Sequence, residues 1–380
     1  MAKVVILGAG LAGISAAINL SNYDYDITII EQSNKAGGKV KSAYNPITKT
    51  YYDIGQHLLI SGYEATLKYL NIINSQADLL FFDKIYFYGK NNQLLSFKLD
   101  NNFFPIKIIY NLLTSRIINY NDVIDVFKLF YTRKINSKII TNFVKSIYNT
   151  DTADVPLKSL GNTFKIITKK NNFYPILPKN TLEETLITPA LEYLFKKNVK
   201  INYNERFINF KTEDNLIKEI ITNKNKYYEF DYLISALPYN VFSSLFTKNN
   251  DFKMNTIQTI YYFTNNELSP IMIGNLNDDL WDWIFAYNNH ISIVTSNYRF
   301  NDFNEIYFQN FIKNIFGNLK IIDKKIINFK NATPFQDNNF EKNKKIKLDY
   351  RNLKIIGDWT IKNLPCTIET AIMSGFKLVL

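Results

Sequence analysis

The 380-residue sequence is poor in the residues that build metal centres and covalent cross-links. A single cysteine, Cys366, excludes an intrachain disulfide framework and any multi-cysteine zinc or iron–sulfur site. Two histidines, His57 and His290, are too few for a histidine-built centre, so no metal is expected. Acidic residues are also short: 34 Asp and Glu against 45 Lys and Arg leave a net charge of +11. That excess suits a nucleic acid, an anionic membrane surface or an anionic ligand. Yet lysine dominates over arginine and forms no dense run, and Asn, Lys and Ile are heavily used, as AT-rich coding imposes. No nucleic-acid module stands out, so that partner is set aside. Long apolar runs are missing too, with nothing near the ~18 residues a spanning helix needs. The chain runs straight into a strand with no signal-peptide pattern, which predicts a cytoplasmic protein. No Ser/His/Asp triad or paired acid–base carboxylates stand out by spacing.

What is present starts at residue 4. Val4–Leu7 is a short apolar run that fits a buried parallel strand, Ile14–Leu20 a helix with small residues, and Ile27–Ile30 a second strand. Between the first two lies Gly8-Ala9-Gly10-Leu11-Ala12-Gly13, with G-x-G-x-x-G spacing. The first glycine makes the turn, the second leaves room for pyrophosphate, and the third lets helix and strand pack closely. The helix N-terminus offers unpaired N–H groups to the phosphates. Glu31 closes the second strand, where a carboxylate can accept hydrogen bonds from ribose hydroxyls. Gly8, Gly10, Leu11, Ala12, Gly13, Glu31 and Gln32 are therefore candidate dinucleotide-binding residues.

The continuation favours FAD over NAD, because no further alternation of strands and helices follows. Instead Gly37-Gly38-Lys39 offers a second close backbone approach and a cation for phosphate, and Gly55 in Asp53-Ile54-Gly55-Gln56-His57 suits backbone passing a flat ring. Near the chain's end, Gly357-Asp358 closes an apolar strand, and a helix starting near Thr367 can aim its N-terminus at the flavin edge. Lys39, Gly55, Gln56, Gly357, Asp358, Thr367 and Ile368 join the cofactor candidates.

At these residues the sequence resembles the hydroxysqualene dehydroxylases, also called squalene-associated FAD-dependent desaturases, of the amine-oxidase/phytoene-desaturase superfamily. The block Asp53-Ile54-Gly55-Gln56-His57, continuing through Gly62-Tyr63 to Thr66-Leu67, carries most of the resemblance. The tail Gly357-Asp358-Trp359-Thr360, Pro365, Thr367-Ile368-Glu369, Ala371 and Ser374-Gly375 carries the rest, with weaker likeness at Trp283-Ile284-Phe285 and Asn331-Ala332-Thr333. Lys39 departs from it, standing where the superfamily usually has arginine. The stretch between Tyr131 and Asn149 is short beside typical members. The resemblance implies FAD, a lipophilic isoprenoid substrate and reductive removal of a hydroxyl, with His57 handling a proton; Phe207 is carried as a further cofactor contact. A carotenoid or phytoene desaturase, an amine oxidase and an inactive flavin-binding protein remain the alternatives.

The expected fold is α/β: a discontinuous Rossmann-like FAD-binding domain (residues 1–75, 190–245 and 335–380) with a second α+β substrate domain (76–189 and 246–334). Helical spacing is read from Asp100 to Tyr148, and the stretch Phe103–Ile118 is a candidate for peripheral contact with an anionic membrane. Pro175–Pro189 reads as a connecting stretch, Val199–Phe230 as two or three antiparallel strands, Asp231–Leu237 as a buried strand and Thr256–Tyr298 as a second sheet. His290 reads as a loop residue. Cys366, before a helix N-terminus, is expected to have a lowered thiol pKa.

Overall fold

The computed structural model describes residues 1–89, 93–98, 137–167, 174–248, 252–278, 280–296, 305–344, 346 and 348–380. Five parallel strands form its first sheet: β1 (Ala2–Leu7), β2 (Tyr25–Ile30), β3 (Lys200–Asn202), β4 (Tyr232–Ser235) and β5 (Leu353–Ile355), in the order β3-β2-β1-β4-β5. Their apolar runs follow from burial on both faces. Val4, Ile6, Ile29 and Ile234 join the core on one side, while Val5, Leu7, Ile30 and Leu233 join the core on the other. Each such side chain contributes about 1.5–3 kcal/mol by leaving water.

The first of these cores also takes in α1 (Leu11–Leu20), α2 (Glu64–Ile72) and α4 (Ile368–Phe376), with a helix at Thr188–Lys196. Small residues let α1 and α4 cross closely: a Cβ on Gly375 would fall 2.2 Å from Ser15 Oγ and 2.5 Å from the Ala16 nitrogen. The second core lies under a three-stranded antiparallel sheet, Phe207–Glu213, Leu216–Thr222 and Lys226–Tyr227.

A second large sheet is built on the 22-residue strand Met254–Asn275, flanked by antiparallel strands Trp283–Ser296 and Ile321–Pro334. The far end of that strand pairs in parallel with Lys84–Tyr88. Helix α3 (Ser137–Tyr148) is tied to this sheet by a 2.9 Å ion pair from Lys145 to buried Asp282, and Trp283 donates its indole N–H to Ser146. The architecture is α/β, a Rossmann-like sheet with a second α+β unit.

Several sequence expectations need correction. Pro175–Pro178 is a buried strand between Leu59–Ile60 and Leu79–Phe81, because an extended proline-bounded segment can pair at a short sheet's carbonyls and remaining N–H groups. Within 199–230 the first strand, Lys200–Asn202, runs parallel to β2 and extends the main sheet. His290 lies inside the strand Trp283–Ser296 and is buried among Tyr52, Tyr261, Phe263 and Tyr287. The helical reading holds for 137–148, whereas Phe103–Ile118 lies outside the described residues. No described helix is long and apolar enough to cross a membrane, and no group of three His, Cys, Asp or Glu side chains is placed to hold a metal ion among the described residues.

Candidate functional site: a glycine-lined cradle and the loop beside it

The turn Gly8–Gly13 leaves β1 at its C-terminal end and opens α1, whose first N–H groups have no intrahelical partner. A Cβ on Gly13 would lie 2.0 Å from the Gly8 carbonyl oxygen, so helix and turn meet backbone to backbone. Gly37 donates its N–H to the Ala9 carbonyl at 2.8 Å, which brings the second glycine pair onto the first. Gly38 takes a positive φ of 63°, and its missing Cβ would stand 3.1 Å from the Gly10 Cα. Two glycine turns thus face each other across a space that side chains would fill. Leu11 and Ala12 are buried in the first helical turn.

Glu31 is buried at the end of β2. One carboxylate oxygen accepts the Ala9 N–H and the other the Ser33 N–H, both at 2.8 Å. A carboxylate has four lone-pair sites, so both oxygens keep capacity for ribose hydroxyls. Gln32, next to it, is exposed. Phe207 stacks on Phe246 at 5.5 Å and packs in the core with Ile30, one residue before Glu31.

Lys39 pairs with Asp358 at 3.1 Å, joining the second glycine turn to the tail. Burial works against the ammonium charge, but Asp358 holds Lys39 above the ordinary lysine range. Gly357 donates its N–H to Ser374 Oγ at 3.0 Å, and the Trp359 indole donates to the Leu237 carbonyl at 3.0 Å, so this loop is fixed to α4 and to the end of β4. Thr367 caps α4 in a reciprocal pair with Thr370, and Ile368 is buried behind it. The cap leaves the first helical N–H groups directed out of the helix. Burial pushes the Cys366 thiol well up, overriding the helix-end effect expected from sequence.

The block Asp53–His57 is pinned from several elements. Asp53 is buried and accepts the Leu182 N–H at 2.9 Å and the Ser42 hydroxyl at 3.1 Å. Burial raises its carboxyl to about 7, against those hydrogen bonds and with help from Glu183 and Glu184. Gly55 has φ 85° and donates its N–H to Tyr261 Oη at 2.9 Å, while that hydroxyl donates to the Asp53 carbonyl at 2.7 Å. Gln56 Oε1 accepts from Tyr287 at 3.4 Å and Ser292 at 3.3 Å. His57 is drawn down to about 4 by burial and then by the Lys39 charge, against a hydrogen bond to the Lys39 backbone. Its imidazole is therefore neutral at neutral pH.

Tyr261 and Ser292 are more than 200 residues away and carried no motif; only the alternation of their strands could have raised them, whereas Tyr287 follows the Trp283-Ile284-Phe285 block of the resemblance by two residues. Glu369 was visible in the tail but not as a structural link. Its carboxylate accepts the Ala65 and Thr66 N–H groups at 2.8 Å and the Thr66 hydroxyl at 2.7 Å, capping α2. The two sequence blocks of the resemblance are therefore physically joined, across 303 residues.

Comparison with known proteins agrees with this geometry. A family model described as an NAD(P)-binding Rossmann-like domain matches residues 6–72. A hydroxysqualene dehydroxylase of Zymomonas mobilis is 24% identical over 99% of this chain and 97% of its own length. A hydroxysqualene dehydroxylase of Sinorhizobium fredii is 35% identical over 78 residues, which are 20% of this chain and 19% of that protein. Among solved structures, an oxidoreductase from Methanosarcina mazei superposes with a TM-score of 0.75 at 12% identity, covering 98% of each chain. The chain is an oxidoreductase with a Rossmann-like fold, similar over nearly its whole length to a hydroxysqualene dehydroxylase.

Proposed function

We propose that the chain binds FAD and reductively removes the hydroxyl of hydroxysqualene, giving squalene. The observation that carries the reading is the full-length likeness to the Zymomonas mobilis hydroxysqualene dehydroxylase. The facing glycines 10 and 38, open where a Cβ would intrude, fit the group. Gly8 to Gly13 and Lys39 would hold its pyrophosphate, Glu31 its ribose, and Gly55, Gly357, Asp358, Thr367 and Ile368 its other end. Phe207 would back the nucleotide from the core.

In the net reaction the hydroxyl leaves as water after taking one proton, and the carbon it leaves takes a hydride. When bound, reduced flavin would supply that hydride, giving up two electrons. The chain's own residues orient the substrate, exclude water and handle the proton. His57, neutral at neutral pH, acts here by accepting and passing on a proton rather than by storing one. Anaerobic assay of reduced holoprotein with hydroxysqualene tests the reading: squalene is the expected product, and its absence overturns the reading.

A further inference from the structure

Resting on that reading, we infer that Gln56, a cofactor candidate by its sequence position, instead recognises the hydroxyl group of the substrate through its side-chain amide. The amide is held at one end only. Oε1 accepts hydrogen bonds from Tyr287 and Ser292, both on the strand Trp283–Ser296, whereas Nε2 is buried with no partner among the described residues. A buried amide N–H left unpaired costs stability, so a native site that keeps one has a use for it. The backbone beside it cannot swing to relieve this, because Gly55 N–H and the Asp53 carbonyl are both bonded to the Tyr261 hydroxyl.

The surroundings define the ligand. Tyr287 belongs to an apolar cluster with Trp283, Phe285 and Leu177, and Leu58, two residues after Gln56, packs against the same cluster. One neutral donor beside an aromatic wall suits a neutral oxygen on an otherwise apolar molecule. The groups that set the amide, Tyr287 and Ser292, come from the antiparallel strand Trp283–Ser296 and not from the glycine turns. That placement assigns the free N–H to the substrate alcohol, where it orients the carbon–oxygen bond that breaks.

The test uses FAD-loaded protein titrated with hydroxysqualene and with squalene, read by perturbation of the flavin absorbance. Wild-type protein is expected to prefer the alcohol by about tenfold, the scale of one well-placed hydrogen bond. Gln56→Met keeps the side-chain length and removes the donor; it is expected to bring the preference close to unity with FAD affinity unchanged. Should that variant not fold, Tyr287→Phe with Ser292→Ala leaves Gln56 in place but frees its amide, and a loss of about threefold in preference is expected. Full preference retained in either variant overturns the assignment. Weakened FAD binding with preference intact gives the amide to the cofactor and also overturns it. Equal binding of both ligands by wild type overturns the assignment alone. Binding of neither overturns the substrate reading together with it.

Discussion

The glycine turns beside the parallel sheet and the loop Asp53–His57 beside the antiparallel sheet are built by different means. On the parallel side, backbone meets backbone: Gly13 against Gly8, Gly38 against Gly10, and Gly37 bonded to Ala9. On the antiparallel side, side chains set the loop, with the Tyr261 hydroxyl on the Gly55 N–H and both Tyr287 and Ser292 on the Gln56 side chain. A site made from close backbone contact tolerates only glycine at fixed spacing. A site made from hydroxyls and rings has many equivalent solutions.

The largest expected effects break the backbone half. Gly13→Ala must displace the Gly8 carbonyl, and Gly375→Ala must separate α4 from Ser15 and Ala16. Each is expected to destabilise the protein by about 3 kcal/mol, measured by chemical denaturation. Gly10→Ala sharpens the comparison. Its Cβ would meet nothing nearer than the Gly38 Cα at 3.8 Å, so the fold should be unaffected. The methyl would instead occupy the space left for pyrophosphate, and FAD affinity should fall by more than tenfold in a binding titration.

Next in size is the link between the two sequence blocks. Glu369→Ala leaves the N–H groups of Ala65 and Thr66 buried without an acceptor. A loss of about 2 kcal/mol in unfolding free energy is expected, with the FAD spectrum unaltered in the fraction that remains folded. Lys39→Ala should weaken FAD by roughly tenfold and reduce the salt dependence of its binding, since it removes a cation and not a backbone contact.

The smallest effect is the dependence of stability on pH. His57 and His290 are held near 4 by burial, below their unfolded value of 6.5. The unfolded chain therefore binds more protons at these two sites between pH 4 and 6.5, and their contribution rises with pH. Asp53 opposes them, because its carboxyl is raised from 3.8 to about 7 and the folded state holds the extra proton. Stability should climb gently from pH 4.5 to 6. Asp53→Asn, which removes the opposing group, should make that climb steeper, and a flatter profile in the variant would contradict these assignments.

How much of this was legible in the sequence follows the same division. The turn at Gly8–Gly13, the acidic residue at 31 and the strand at Leu353–Ile355 were readable because steric exclusion and burial on both faces restrict the residue types allowed there. Lys200–Asn202 was misassigned because a three-residue strand carries too little pattern to separate parallel from antiparallel pairing. Polar His290 beside Asn288 and Asn289 looked like a loop, yet a ring of aromatic side chains buries it. The thiol of Cys366 failed in the same way, since the local helix end was visible in the sequence and the surrounding burial was not. Tertiary contact, not local propensity, decided each of these. Glu369 lies between the cases: its position in the tail was readable, but that it caps a helix 303 residues away needed the fold.

The most direct test is made on purified protein loaded with FAD, reduced anaerobically and mixed with hydroxysqualene. Reoxidation of the flavin, seen as return of its oxidised absorbance with one squalene formed for each flavin, is the expected result. A flavin that stays reduced while hydroxysqualene remains intact would contradict the proposed reaction.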